Sequence, residues 1–207
     1  GLRRLEYRGY DSAGIVLEDK NNNFEVKKTK GKVSDLVAIS ENLKGTSHIG
    51  MGHTRWATHG VPSDRNSHPH VSNDGKIALV HNGIIENYDT IKTMLIGKGF
   101  TFLSETDTEV LVNLIQYILD TQNVDFPQAV RYALNEVYGA YAITVMHKDY
   151  PGVLVVGRLG SPLAIGLGDK EYFIASDASP FVEFTKEAVY LEDGHMATIS
   201  LENGVDI

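Results

Sequence analysis

The sequence predicts an α+β domain in which two antiparallel sheets lie between layers of helices. Three observations predict this fold. Short apolar segments separated by Gly, Pro, Asn or Asp occupy both ends of the chain, which is typical of antiparallel strands. Three longer segments with helical periodicity lie between them. The length of 207 residues suits one large domain, so we expect strands and helices to share one layered architecture.

The N-terminal third is predicted to alternate between helix and strand. Leu2 and Leu5 lie three residues apart, which indicates the last turns of a helix that stops at Gly9. Because a helix is already under way at residue 1, we expect further chain upstream. Ser34 is a candidate N-cap for a short helix. The predicted elements are strands over residues 12–17, 24–30, 46–51 and 77–81, and a helix over residues 35–43.

Three amphipathic helices form the predicted central block, over residues 88–98, 107–121 and 126–134. Thr106 and Glu109 have the spacing of a capping box, which places the start of the second helix. Its buried stripe is predicted to contain Val110, Leu111, Leu114, Ile115 and Ile118. Six strands are then predicted, over residues 140–146, 152–157, 163–166, 172–175, 188–191 and 196–200.

Composition narrows the functional class. The formal net charge of −8 argues against a nucleic-acid surface, and no apolar run approaches membrane-spanning length. The 207 residues contain no cysteine, which excludes disulfides, thiolate metal sites and a thiol nucleophile within them. We expect a cytoplasmic enzyme or enzyme domain that binds neither nucleic acid nor membrane.

The segment over residues 51–60, MGHTRWATHG, is the most informative part of the chain. Arg55 carries a fork of N–H donors that fits a carboxylate in two places, and the flanking glycines allow close backbone approach. Trp56 is able to close over a ligand and exclude water. Alternatively, Arg55 forms a surface ion pair and Trp56 packs in the core. We interpret the segment as a strand that runs into a binding loop for a small anion, most simply an amino-acid carboxylate.

Asn82-Gly83 and Asp107 each have two interpretations. Asn-Gly after an apolar strand is typical of a tight turn, but the same pair is able to direct a side-chain amide and a backbone N–H at one oxygen atom. Asp107, in the first turn of a helix, interacts favourably with the helix dipole, and an acid at that position is also able to receive an ammonium group.

Five histidines invite a metal hypothesis, because His53, His59, His68, His70 and His81 fall within 29 residues. In an extended segment the imidazoles of residues 68 and 70 would lie on one side, as in some zinc sites. No His-Glu-x-x-His pattern accompanies them, and we favour hydrogen-bonding histidines over a metal centre.

A serine triad is a further alternative. Asp11 and Ser12 could belong to one, but no Gly-x-Ser-x-Gly elbow surrounds Ser12. We do not expect a serine nucleophile within the chain.

Seven segments, in chain order, resemble the glutaminase domain of the glucosamine-6-phosphate synthases, a family of class II glutamine amidotransferases. They are EYRGYDSAGI (6–15), GHTRWATHG (52–60), SHPH (67–70), HNGIIEN (81–87), SETDTE (104–109), RLGSPL (158–163) and FIASD (173–177). The resemblance covers residues 1–207. It implies an N-terminal-nucleophile hydrolase fold, a four-layer αββα sandwich. It also implies that an N-terminal cysteine, with its own α-amino group as base, hydrolyses the side-chain amide of glutamine. The ammonia would convert fructose 6-phosphate to glucosamine 6-phosphate in amino-sugar biosynthesis.

The resemblance also implies roles for individual residues. Arg55, with Thr58 and His59, would hold the glutamine α-carboxylate, and Asp107 would take the α-ammonium.

Catalysis and loop closure are assigned in the same way. The Asn82-Gly83 pair would stabilise the tetrahedral oxyanion. Trp56 would belong to the mobile loop, and His68 would support that loop. Arg8 and Gly9 would lie near the nucleophile.

The family's cysteine and sugar-isomerase domain lie outside these 207 residues. We therefore expect an amidotransferase domain without its N-terminal strand and nucleophile, which lacks turnover by itself and is less stable than the complete domain. The implied partners are L-glutamine, the isomerase domain of the same polypeptide and a second copy in a homodimer, with no cofactor and no metal. A non-catalytic glutamine-binding module is the alternative, and a histidine-ligated metallohydrolase is a third hypothesis.

Overall fold

The fold is organised around one six-stranded sheet, as a computed structural model that describes residues 1–43 and 48–207 shows. The helices are α1 (Leu2–Leu5), α2 (Val33–Ser40), α3 (Tyr88–Gly97), α4 (Asp107–Thr121) and α5 (Phe126–Glu136), with a 3₁₀ turn over Glu6–Arg8. The strands are β1 (Ser12–Glu18), β2 (Phe24–Lys30), β3 (Gly50–Arg55), β4 (His70–Val71), β5 (Ile77–Ile85), β6 (Gly139–His147), β7 (Val153–Leu159), β8 (Ala164–Gly168), β9 (Glu171–Ala175), β10 (Ala188–Tyr190), β11 (Met196–Ser200) and β12 (Gly204–Asp206).

The large sheet has the strand order β12-β11-β7-β6-β5-β4, and all its named pairings are antiparallel. Helices α3, α4 and α5 cover one face. Leu79 and Val145 of the sheet share a core there with Leu111, Ile115 and Phe126 of the helices. Burial of these side chains supplies the main apolar contribution to stability on this side.

The other face of the large sheet packs against two smaller sheets, ordered β2-β1-β3 and β10-β8-β9. Val16 and Met51 meet Val80 beneath the first small sheet, and Ile165 meets Val156 beneath the second. Because strand side chains alternate between faces, Ala13 of β1 points the other way. Ala13 packs against Val33 and Leu36 of α2 and near Leu2 of α1. These two helices form the outer layer on this side.

This arrangement confirms the predicted α+β class with antiparallel sheets between helical layers. One detail differs from the expectation of two sheets, because the second β layer consists of two separate three-stranded sheets. Among the described residues, no helix is long and apolar enough to cross a membrane.

Most predicted elements are confirmed to within two residues. These are the three central helices, the six strands after them and the strands over residues 12–17 and 24–30. The helix over residues 1–8 is also confirmed, with a 3₁₀ last turn before Gly9. The predicted stripe of α4 is buried, and so are Val112 and Asn113, because the helix is covered on nearly all sides.

Several predicted boundaries are wrong. The strand predicted to end at residue 81 continues to Ile85, so Asn82-Gly83 lies inside β5 and not in a turn. Helix α2 begins at Val33 and ends at Ser40. Residue 32 is its N-cap in place of Ser34, because Asp35 Oδ2 accepts the N–H of Lys32 at 2.8 Å.

Other differences concern a cap and short strands. The Thr106 hydroxyl accepts the Glu109 N–H at 3.3 Å, but the Glu109 carboxylate binds the N–H groups of Leu103 and Ser104, so only half of the predicted capping box forms. The strand predicted over residues 46–51 begins at residue 50, and residues 46 and 47 lie outside the described part. Strands β4 and β12 were not predicted.

Candidate active site

A cavity of about 640 Å³ opens between the large sheet and the two smaller sheets. One end is polar and is lined from β3, the loop after it, β5 and the start of α4. The other end is mainly apolar and is lined from α1, β1, β3 and β9. The lining of the polar end includes His53, Arg55, Thr58, His59, His68, His81, Asn82, Gly83, Thr106, Asp107 and Thr108. A cavity with an apolar body and convergent polar groups is the usual form of a small-molecule site.

Arg55 ends β3 and is 3% exposed. Its Nη2 atom donates to the backbone carbonyls of His59 and Gly60, the second at 3.0 Å. Its Nη1 atom is buried and has no partner among the described residues. Burial lowers the pKa of Arg55, while Asp11 and Asp107 act in the opposite direction. Half of the guanidinium thus closes the loop after β3, and the other half has no hydrogen-bond acceptor among the described residues.

The loop over residues 56–60 is fixed at several points. The Ala57 N–H donates to Asp11 Oδ2. The Trp56 ring meets the Tyr10 ring edge-on at 5.5 Å, and His59 meets Tyr88 at 4.9 Å. Trp56 is 63% exposed, so the core interpretation of this side chain is wrong. It lies on the rim of the cavity, where a loop residue is able to cover a ligand.

Asp107 is the first residue of α4 and is 3% exposed. Its Oδ2 atom accepts the Ile85 N–H at 2.8 Å, which ties the helix start to the end of β5. Oδ1 lies 3.9 Å from His59 Nδ1, and Oδ2 lies 4.0 Å from His81 Nδ1. The carboxylate therefore combines a favourable position at a helix N-terminus with a place on the same cavity wall as Arg55.

Asn82 and Gly83 lie side by side in β5, opposite Ala142 and Tyr141 of β6. Asn82 Oδ1 lies 2.8 Å from His53 Nε2. Gly83 has φ +127°, and a Cβ atom there would lie 2.1 Å from the carbonyl oxygen of Ala140. Only glycine fits this position, because both the backbone conformation and the space exclude a side chain.

Four histidines, at positions 53, 68, 70 and 81, form one cluster in the polar wall, where His53, His68 and His81 line the cavity. The His53 and His68 rings stack at 4.1 Å, and the His68 and His70 rings meet at 4.9 Å. The Thr108 hydroxyl lies 2.9 Å from His68 Nε2 and 3.0 Å from His81 Nδ1. Burial lowers the pKa of His53 to about 4 and lowers the pKa of the other three as well. In the described ranges, no group of three or more His, Cys, Asp or Glu could hold a metal ion.

The remaining sequence-predicted residues take separate positions. His68 contacts His53 and Thr108, and its support of the loop stays a prediction. Arg8 lines the cavity and binds Asp177 at 2.9 Å, which connects the N-terminal segment to the end of β9. Gly9 lies behind the wall, where a Cβ atom would come within 2.8 Å of the backbone of residues 54 and 55.

Sequence reasoning missed two supporting groups. Asp11 anchors the binding loop through Ala57, a contact across 46 positions that no local pattern indicates. The Thr108 hydroxyl connects two histidines that lie 40 and 27 positions away in the chain. Both roles depend on which strands and helices meet in the fold.

The fold and the cavity define a glutamine amidotransferase domain. Residues 13–202 match the family model described as the glutamine amidotransferase domain, and the chain belongs to this family. It is similar to the glutamine--fructose-6-phosphate aminotransferase [isomerizing] of Bacteroides thetaiotaomicron, with 54% identity over 202 residues that cover 97% of this chain and 33% of the relative. The protein of the same name from Chlorobaculum tepidum is 52% identical over 208 residues, which cover 98% of this chain and 33% of that relative.

Among solved structures, the chain is similar to the glutamine phosphoribosylpyrophosphate amidotransferase of B. subtilis. The TM-score is 0.81 at 29% sequence identity, and the match covers 99% of this chain and 44% of that one. This similarity confirms the predicted N-terminal-nucleophile hydrolase architecture. The chain spans about one third of the length of the curated relatives that it matches.

Proposed function

We propose that this domain binds L-glutamine and hydrolyses its side-chain amide, and that the ammonia converts fructose 6-phosphate to glucosamine 6-phosphate. The observation that carries the proposal is that Arg55 and Asp107, of opposite charge and both buried, line one cavity together with Asn82-Gly83. A free amino acid carries one negative and one positive group on its α-carbon, which this pair matches. The names of the similar proteins supply the sugar phosphate.

Arg55 is proposed to bind the α-carboxylate through Nη1, the half of its fork that has no partner in the described part of the chain. Thr58 and His59 line the same end of the cavity and would complete the carboxylate site. Asp107 would receive the α-ammonium on Oδ1, because Oδ2 already accepts the Ile85 N–H. Charge-assisted hydrogen bonds of this kind are about twice as strong as neutral ones.

The oxyanion site is proposed to combine the Asn82 side chain with the Gly83 N–H. The Ile77 carbonyl and the Ile85 N–H both point away from β6, towards Ser72 and Asp107. The register of β5 with β6 is continuous from residue 77 to 85, and polar groups alternate along a strand. The Gly83 N–H, two positions before Ile85, is therefore expected to point the same way, towards the edge of β5 that β6 does not occupy.

The nucleophile is proposed to be a cysteine on an N-terminal strand outside these 207 residues. Strands β3 and β9 end their respective small sheets, and both line the apolar part of the cavity together with Gly1. An extended segment between them would hydrogen-bond to both edges and join the small sheets into one. The second β layer would then be the single sheet that the family resemblance implies.

The wider setting is proposed on the same basis. Ammonia would pass to a sugar-isomerase domain of the same polypeptide, which accounts for the greater length of the similar proteins. We further propose a homodimer that acts in the cytoplasm, where its substrates are free metabolites.

An ammonia-release assay tests the proposal. The chain extended through a cysteine-bearing N-terminal strand is expected to release ammonia from glutamine, and its Cys→Ala variant is expected to release none. Glutamine binding without turnover in the extended chain would instead identify a non-catalytic binding module. Neither binding nor turnover would refute the proposed function.

A further inference from the structure

The Asn82 side chain has two chemically different ends, and an oxyanion site needs only one of them. Its amide nitrogen donates hydrogen bonds and stabilises negative charge, whereas its oxygen would repel it. Rotation of the carboxamide by half a turn exchanges the two ends. Something must therefore hold the Asn82 amide in one orientation if Asn82 is to act as a donor.

We propose that His53 is the positioning residue that holds Asn82, because His53 Nε2 lies 2.8 Å from Asn82 Oδ1 and so directs Nδ2 into the cavity. The effect of His53 on the reaction rate rests on the proposed glutaminase function. The hydrogen bond between His53 and Asn82 does not rest on it, because this bond forms in the chain without substrate.

The protonation of His53 follows from its surroundings. Burial lowers the pKa of His53 to about 4, so the ring is neutral near pH 7 and carries one N–H. A proton on Nε2 makes the contact with Asn82 Oδ1 a hydrogen bond. A proton on Nδ1 would instead leave the lone pairs of Nε2 and of Asn82 Oδ1 facing each other at 2.8 Å. The Nε2–H form is therefore favoured.

The ring plane of His53 is fixed by a stacked neighbour. His68 stacks on it at 4.1 Å, and the Thr108 hydroxyl holds His68 at 2.9 Å. The same hydroxyl lies 3.0 Å from His81 Nδ1. Because the hydroxyl has one proton, it donates to one imidazole and accepts from the other. The stack leaves His53 little freedom to turn away from Asn82.

The expected magnitude is set by the donor that would be lost. Removal of one oxyanion donor typically lowers kcat by about 10²–10³-fold. Without His53 the Asn82 amide is free to rotate but still samples the productive orientation. We therefore expect a decrease in kcat of roughly 10–100-fold with KM nearly unchanged, because Asn82 acts on the transition state and not on the bound amino acid.

The tautomer is measured on the 207-residue chain itself. Two-bond ¹H–¹⁵N correlation spectra at pH 7 are expected to show a protonated Nε2 and an unprotonated Nδ1 for His53, assigned by loss of its signals in His53→Gln. A proton on Nδ1 would overturn the inference, since Asn82 would then have to donate to Nε2 and turn its oxygen into the cavity.

The kinetic test uses the chain extended through the cysteine-bearing strand. His53→Ala is expected to lose kcat as stated, and His53→Gln, whose amide N–H takes the place of Nε2–H, is expected to recover most of it. His147→Gln is the control, because His147 is a buried histidine that contacts Phe126 and Tyr150 outside the cavity. Thermal unfolding of each variant separates loss of folding from loss of positioning.

The outcomes are distinguishable. An unchanged kcat in His53→Ala, or an equal loss in His147→Gln at equal Tm, would overturn the positioning role while leaving the proposed function intact. If the unsubstituted extended chain releases no ammonia, the proposed function fails, and the nitrogen shifts of His53 still decide whether it orients Asn82.

Discussion

Replacement of Arg55 by alanine is the most direct test of the carboxylate site. Arg55 is 3% exposed and its Nη1 atom is buried without a partner in the described residues, so a ligand carboxylate would find a desolvated, unopposed donor. A hydrogen bond to a charged group contributes about 1.5–3 kcal/mol. Two such bonds contribute roughly 3–6 kcal/mol, and we expect the lower end because Nη2 already binds two loop carbonyls. The Kd for glutamine should rise by about 10²-fold or more, since each tenfold step is about 1.4 kcal/mol.

A comparison of two ligands isolates the carboxylate from other effects of the substitution. 4-Aminobutanamide is glutamine without its α-carboxylate. Isothermal titration calorimetry on the 207-residue chain, and on the chain extended at its N terminus, should show weaker glutamine binding by Arg55→Ala and an unchanged Kd for 4-aminobutanamide. The interaction free energy of this cycle is the contribution of the guanidinium–carboxylate pair.

Loop disorder is the alternative cause of weaker binding, because Arg55 also closes the loop over residues 56–60. If the loop were responsible, both ligands would lose affinity equally. Arg65→Ala serves as the control, since Arg65 is an exposed arginine close to this loop and paired to Glu105 at 3.4 Å. Equal losses for the two ligands, or glutamine binding by Arg55→Ala at the original Kd, would refute the assignment of the carboxylate to Arg55.

Three further predictions concern the ammonium end of the site, the conformation of Gly83 and the protonation of His53. Asp107→Asn should raise the Kd for glutamine about 10-fold or more. The Kd for glutaramate, which lacks the α-ammonium, should stay unchanged in calorimetry, and equal effects on the two ligands would contradict the ammonium role. Gly83→Ala should cost at least about 2 kcal/mol more in urea unfolding than Gly75→Ala, because a Cβ meets the Ala140 oxygen at the first site and open space at the second, although both have positive φ. Burial lowers the pKa of His53 to about 4, so the unfolded state binds more protons and stability should fall from about pH 6.5 towards pH 4. In His53→Gln the slope should be smaller by up to about 1.4 kcal/mol per pH unit, and an unchanged slope would contradict this cause.

Regular elements could be predicted from the sequence because their signals are local. The Thr106 cap and the apolar period of α4 each specify an element through neighbouring residues. The boundary errors have the same origin. Asn82-Gly83 has the composition of a turn, but nine consecutive pairs with β6 keep the strand extended through it, so tertiary pairing overrides a local preference.

The candidate site could be predicted as a set of residues but not as a geometry. Arg55, Asp107 and Asn82-Gly83 were assigned by resemblance, and their shared cavity follows only from packing of β3, β5 and α4. The partners of these groups were not predictable. The Nη2 bonds of Arg55 to the loop and the contact of His53 with Asn82 join residues whose proximity no periodicity encodes.

The charge arrangement of the cavity determines how a glutamine can lie in it. Arg8 lines the cavity but is paired to Asp177 at 2.9 Å. Burial lowers the pKa of His53 and of its neighbours His68 and His81, so these rings add no positive charge near pH 7. Among the described residues of the polar wall, Arg55 then remains as the cation, and Asp11 and Asp107 are the acids that stabilise its charge.

In the proposed site, a zwitterion would place its α-carbon between Arg55 and Asp107, and its carboxamide would extend towards Asn82. If the imidazoles were protonated, they would attract the carboxylate away from Arg55 and repel the ammonium from Asp107. Under the proposed function, burial of the histidine cluster would contribute to ligand selection, because neutral rings favour one orientation of the amino acid. The same burial keeps His53 in the neutral form that holds the Asn82 amide, which links recognition of the α-carbon end to the alignment of the reacting end.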